Sequence, residues 1–251
     1  RIPAADAIFV ERIRKNGAIL IGKTNTPEFG LGSHTYNPVF GTTLNPYDLS
    51  KTAGGSSGGA AVGLATRMLP VADGSDMGGS LRNPAAYCNV FGFRPSAGRM
   101  PRGPMGDVFV QQLGYEGPMG RTVADLSMLL SVMAGFDPRA PLSLDQDPAM
   151  FAAPLQRDFK GAKLAWLGDW DGYLPMESGV LELCRKGIGA FADLGCVIED
   201  TKLEYPPEKL WSMWLTHRHW LVGSGLNVIY SDPAKRDLMK PEARFEVERG
   251  L

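Results

Sequence analysis

The sequence predicts an α/β fold, a layered sheet with helices on both faces, and three observations predict it. Stretches with helical spacing end at glycines, at Gly17, Gly135 and Gly195. Short apolar runs of strand length lie between those stretches. Strands and helices therefore alternate along the chain, the pattern of layered α/β architectures.

Ala5, Ile8, Phe9 and Ile13 lie on one helical face, so residues 3–16 read as a helix that Gly17 stops. Ala18-Ile19-Leu20-Ile21 reads as a buried strand ending at Gly22. Residues 24–57 are rich in Asn, Thr, Pro and Gly and too long for a mere connector, which marks them as a site-bearing segment. Ala60 to Met68 reads as a short helix and Leu69 to Ala72 as a strand; a glycine-rich turn from Gly74 to Gly79 leads into a helix near Ser80. Thr122 is a good N-cap for a helix carrying Val123, Leu126, Leu129, Leu130 and Met133. A strand at 164–167, a helix at 180–194 and a strand at 196–199 follow.

The 251 residues suffice for a substantial core. With 26 basic against 27 acidic side chains the charge is balanced, which excludes the basic footprint of a nucleic-acid or membrane-surface protein. Cys88, Cys184 and Cys196 are an odd number without CxxC pairing, so they read as small packed residues; no disulfide framework, metal site or cofactor is expected. No apolar run approaches the roughly 18 residues of a spanning helix, and no signal segment opens the chain. The expected location is the cytoplasm. The 31 glycines are the compositional oddity, and they imply unusual dihedrals or close backbone approach at many positions.

Two glycine beds carry hydroxyls. Gly54-Gly55-Ser56-Ser57-Gly58-Gly59 holds two serines, and Gly74-Ser75-Asp76-Met77-Gly78-Gly79-Ser80-Leu81-Arg82 ends in a serine that starts a helix. Backbone N–H groups at such a junction are free to receive an oxyanion. Acyl transfer needs a nucleophile, a proton acceptor and such donors, and the second loop could supply nucleophile and donors together. One glycine-rich loop alone is as easily a turn or a phosphate cradle, but Gly59-Ala60-Ala61 lacks the Lys-Ser/Thr of a phosphate loop.

Together the two loops resemble the amidase-signature family of serine amidohydrolases. The resemblance extends over Gly22-Lys23-Thr24-Asn25 with Glu28-Phe29, over Asn45-Pro46-Tyr47-Asp48, and over Gly117-Pro118-Met119-Gly120-Arg121-Thr122-Val123. It spans residues 1–140 as a signature core and fades in 141–251, a variable, substrate-side region of one domain that is expected to be incomplete at both ends. It implies an α/β/α layered fold with a mixed central sheet flanked by helices. It further implies that Ser80 is the nucleophile, that Ser56, 24 positions upstream, bridges it to a lysine, and that the Gly55-Ser56 peptide is cis. Backbone N–H groups of Met77, Gly78, Gly79 and Ser80 would hold the oxyanion. Gly55, Ser57, Asp76 and Arg82 would support the motif, Asp76 and Arg82 by orienting the loop.

The family's lysine falls upstream of residue 1, and Lys23 belongs to the GKTN turn and is not that base. Ser75 stands where the family has Thr, and Ala53 where Pro is common. The implied activity is hydrolysis of a small-molecule amide, at a non-peptide linear carbon–nitrogen bond, to an acid and ammonia or an amine. No nucleic acid or membrane partner is implied, and a homodimer is left open. A glutaminase-type subunit of a tRNA-dependent amidotransferase shares the same motifs, and a non-catalytic binding module is the alternative from another class. A Ser-His-Asp hydrolase would draw on His34, His217 or His219, but no GxSxG elbow is present. Trp211, Trp214 and Trp220 suggest core or interface, or an aryl or alkyl substrate if they adjoin a pocket.

Overall fold

A computed structural model of the chain describes residues 3–251. Helix α1 (Ile8–Lys15) starts five residues later than its periodicity predicts and buries Ile8 and Ile13. The expected strand at 18–21 does not form. Ile19 is 87% exposed and Ile21 72%, because the segment finds no strand to pair with among the described residues. A short antiparallel pair follows, β1 (Tyr36–Asn37) with β2 (Gly41–Thr42).

Helix α2 (Gly58–Ala65) is apolar all round, and such a helix belongs inside a core. Ala60, Ala61 and Leu64 pack there with Ala53, Leu81, Ala85, Cys88 and Met119. Strand β3 (Val71–Asp76) runs further than Leu69 to Ala72 suggests and carries the chain straight into the Met77–Ser80 turn. Helix α3 (Arg82–Tyr87) begins just beyond Ser80. Strand β4 (Phe91–Gly92) and strand β5 (Tyr115–Gly120) complete an antiparallel sheet of order β3-β5-β4, registered from Val71 opposite Gly120 to Asp76 opposite Tyr115. In the sequence β5 shows only as a motif, since its glycines and proline hide the strand. Helix α4 (Val123–Met133) is capped as expected, with Thr122 and Asp125 in a reciprocal capping box. Its Leu129, Leu130 and Met133 meet Ile13 and Met100.

Strand β6 (Lys163–Trp166), helix α5 (Val180–Asp193) and strand β7 (Val197–Asp200) form a parallel βαβ unit. It belongs to a separate compact unit, residues 154–217, whose boundary falls inside helix α6 (Pro207–Tyr230). Helices α7 (Pro233–Arg236) and α8 (Pro241–Gly250) belong with the first unit, where Val222, Met239, Ala243 and Val247 pack on Leu31. Among the described residues no helix is long and apolar enough to cross a membrane.

Candidate active site

The first glycine-serine loop is held by Thr35, Asn83 and Asn25. Thr35 Oγ1 donates to the Gly54 carbonyl at 2.8 Å and accepts the Gly58 N–H at 3.1 Å, spanning the first loop. Asn83 Oδ1 accepts the Gly55 N–H at 3.1 Å. Asn25 of the GKTN segment takes the Gly59 N–H on its carbonyl at 3.3 Å, while its side chain bonds Gly41 and Thr43. An added Cβ on Gly59 would stand 2.5 Å from the Asn25 nitrogen, so the GKTN backbone can lie here only against glycine. The Gly55-Ser56 peptide is cis.

The two loops meet directly. The Ser57 N–H donates to the Ser80 carbonyl at 3.2 Å. The Ser57 hydroxyl accepts the Ser75 N–H and donates to the Ser75 carbonyl, each at 3.3 Å, so Ser57 ties the first loop to β3. Ser56 is buried and Ser80 half-buried. Among the described residues neither hydroxyl makes a hydrogen bond, including to the other.

Asp76 is fully buried and organises the second loop. Its carboxylate accepts the Gly79 N–H at 2.8 Å, the Leu81 N–H at 3.1 Å and a two-point contact from Arg82 Nε and Nη2, both at 2.9 Å. Burial alone would raise its pKa. The hydrogen bonds from Arg82, Leu81 and Gly79 outweigh burial and hold it down at about 2, so Asp76 stays a carboxylate. Of the four N–H groups expected around the oxyanion, that of Gly79 donates to Asp76, whereas those of Met77, Gly78 and Ser80 have no acceptor among the described residues.

Arg94 also grips this loop. It donates through Nη1 to the Asp76 carbonyl, to Asp76 Oδ1 at 3.1 Å and to the Met77 carbonyl at 3.3 Å, and through Nη2 to the Leu113 carbonyl at 3.1 Å. Its guanidinium also lies 5.5 Å from the centre of the Tyr115 ring. Most of its partners are main-chain carbonyls, which leave no mark in a sequence.

The remaining candidates lie elsewhere. Lys23 is exposed. His34 Nδ1 meets Thr52 Oγ1 at 3.0 Å and His219 Nδ1 meets Glu246 at 2.9 Å, so neither is arranged as a base for Ser80. Trp211 and Trp214 stack with ring centres 5.1 Å apart in residues 154–217, and neither they nor Trp220 line the cavity beside the second loop.

That cavity has a volume of about 220 Å³ and is walled by Phe29, Leu31, Met77, Leu221, Val222 and Leu226. Arg102 borders it, 3.4 Å from Glu116 and donating through Nη1 to the Gln111 carbonyl, with its buried Nε making no hydrogen bond among the described residues. Met77 thus offers its side chain to a mostly apolar pocket and its N–H to the loop before Ser80.

The amidase family model matches residues 1–230. This chain belongs to the amidase family. The family includes an acylamidase of Rhodococcus erythropolis, 38% identical over 217 residues, which cover 85% of this chain and 45% of that protein. One subunit of the glutamyl-tRNA(Gln) amidotransferase of Carboxydothermus hydrogenoformans is 39% identical over 206 residues, 81% of this chain and 42% of that protein. Among solved structures, a bacterial aryl acylamidase of the amidase-signature enzymes superposes with a TM-score of 0.89 at 30% identity, covering 98% of this chain and 51% of its own. The amidase-signature α/β fold expected from the motifs is therefore the fold of this chain. The chain spans about half the length of the relatives it matches.

Proposed function

We propose that the chain carries the acylation machinery of an amidase that cleaves a small, non-peptide carboxylic amide bearing an apolar substituent. Ser80 Oγ bonds to the amide carbon. Its proton passes to Ser56 Oγ, whose own proton passes to a lysine outside residues 1–251. The carbonyl oxygen becomes an oxyanion against the N–H groups of Met77, Gly78 and Ser80. The C–N bond then breaks, the returning proton leaves with ammonia or the amine, and water releases the acid from Ser80. No hydrogen bond joins the Ser56 and Ser80 hydroxyls in the free chain, and catalytic hydrogen bonds commonly tighten only around substrate.

The observation that carries this reading is the meeting of the two loops at the Ser57–Ser80 hydrogen bond, beside a turn with unsatisfied N–H groups. The cavity at Met77 supports the substrate class, since most of its walls are apolar and its volume is about 220 Å³, with Arg102 and Gln111 as the polar residues among its lining. Likeness to a glutamyl-tRNA(Gln) amidotransferase subunit supports a second reading, with glutamine as substrate and partner subunits around the chain. The predominance of apolar walls favours the first.

The test is turnover of an aryl amide and of glutamine by the full-length protein, with its Ser80→Ala and Ser56→Ala variants. Ser80→Ala should lose about 10,000-fold or more in kcat, and its acyl adduct should vanish from the mass spectrum. Ser56→Ala should lose about 100- to 10,000-fold. Undiminished turnover by Ser80→Ala refutes the reading, and a clear preference for glutamine replaces it with the second.

A further inference from the structure

The amidase reading leaves open what points the loop N–H groups toward a substrate, and on that reading the geometry points to Arg94. We propose that Arg94 is a positioning residue that aims the N–H groups of Met77 and Gly78 at the oxyanion formed on Ser80.

Peptide planarity decides the direction. In a trans peptide the carbonyl and the following N–H point in opposite directions from one rigid plane. Neither the Asp76-Met77 nor the Met77-Gly78 bond is cis. Arg94 Nη1 holds the carbonyls of both Asp76 and Met77. Fixing those two oxygens on one side turns the N–H groups of Met77 and Gly78 to the other. Those two N–H groups are without an acceptor among the described residues, while that of Gly79 is taken by Asp76.

Every hydrogen bond that the guanidinium makes among the described residues goes to the protein's own loops. Nη1 is shared between Asp76 and Met77, Nη2 donates to the Leu113 carbonyl, and the guanidinium carbon lies over the Tyr115 ring. Arg82 makes a useful contrast, because it reaches the Asp76 carboxylate and neither carbonyl. Both arginines steady Asp76, and Arg94 alone of the two sets the peptide planes.

A positioning role predicts a kcat effect without a KM effect. In the full-length protein, Arg94→Met should lower kcat for an aryl amide by about 100-fold or more, the scale of losing one oxyanion donor. KM should stay within roughly threefold, since ground-state binding does not use the donors. Arg82→Met should lower kcat by less. Arg94→Lys keeps the charge but cannot span the same acceptors, so it should fold and still lose about tenfold in kcat. Should Arg94→Met fail to fold, the lysine variant carries the test.

Wild-type kcat in a folded Arg94 variant overturns the inference, as does a loss in Arg82→Met equal to that in Arg94→Met. These failures are separable from failure of the amidase reading. If Ser80→Ala is inactive and Arg94→Met is not, only the positioning role falls; if Ser80→Ala retains full turnover, both fall.

Discussion

The loops around Ser56 and Ser80 and the βαβ unit around α5 use similar residues to opposite ends. Gly54 through Gly58 are all buried, and the adjoining helix α2 lies in the core beneath them. In residues 154–217 none is fully buried; Leu183 on α5 is 71% exposed and Phe191 47%. The first region is built on backbone contacts that only glycine permits, and the second on elements whose apolar faces stay half in water. A glycine or an ion pair therefore has no fixed meaning in this chain, and its surroundings decide whether it holds the structure or loosens it.

Ion pairs give the largest expected contrast. Asp76, buried between Arg82 and Arg94, has a folded pKa of about 2, below its ordinary 3.8. Its stabilising contribution is therefore complete above about pH 4 and is lost as the pH falls toward 2. The shift corresponds to about 2 kcal/mol, at roughly 1.4 kcal/mol per pKa unit. Urea denaturation at pH 4 and pH 2 should show wild type losing about that much more stability than Asp76→Asn, which cannot titrate there. The exposed Arg185–Asp200 pair, at 2.7 Å, is closer than either pair to Asp76, yet Asp200→Asn should cost only about 0–1 kcal/mol. Equal acid sensitivity in wild type and Asp76→Asn would remove Asp76 as the loop's electrostatic centre.

A smaller effect is expected at Gly59. Alanine in the first turn of α2 would gain up to about 1 kcal/mol in helix propensity. Its Cβ would stand 2.5 and 2.6 Å from the nitrogen and oxygen of Asn25, and these are backbone atoms that cannot swing aside. Overpacking typically costs about 1–3 kcal/mol and wins. Gly59→Ala should lower the urea midpoint; a raised midpoint would mean that the GKTN segment slides freely over α2.

The extent to which the sequence foretold this molecule follows the same division. Local signals were legible where one residue decides the outcome, such as the Thr122 cap of α4, the stops at Gly17, Gly135 and Gly195, and the glycines around Ser56 and Ser80. The strand expected at Ala18–Ile21 failed because an apolar run supplies only half of what a strand needs; the other half is a partner's N–H and C=O groups. Strand β5 was hidden by Gly117, Pro118 and Gly120, residues poor in strand propensity that pairing on both sides overrides. Thr35, Asn83 and Arg94 were missed because most of their partners are main-chain atoms about 20 or more positions away, whose bonding leaves no mark on side-chain identity. The commitment of the Gly79 N–H to Asp76 is local, three positions apart, and was missed because the motif alone does not say which N–H groups the carboxylate takes.

The smallest expected effect is also the sharpest test of the comparison, because it repeats one substitution with the opposite sign. Gly187 lies in the interior of α5, where a Cβ would meet nothing within 4 Å. No close approach or left-handed dihedral requires glycine there, so only its entropic cost remains. Gly187→Ala should stabilise by about 0.5–1 kcal/mol, as a raised urea midpoint for the unit that carries α5, while Gly59→Ala destabilises. If Gly187→Ala destabilises instead, α5 presses its glycine face against something that residues 3–251 do not supply, and the openness of this unit would be a property of the isolated chain alone. If both substitutions behave as stated, what separates the two regions is the backbone packed against each glycine, since the glycine itself is the same in both.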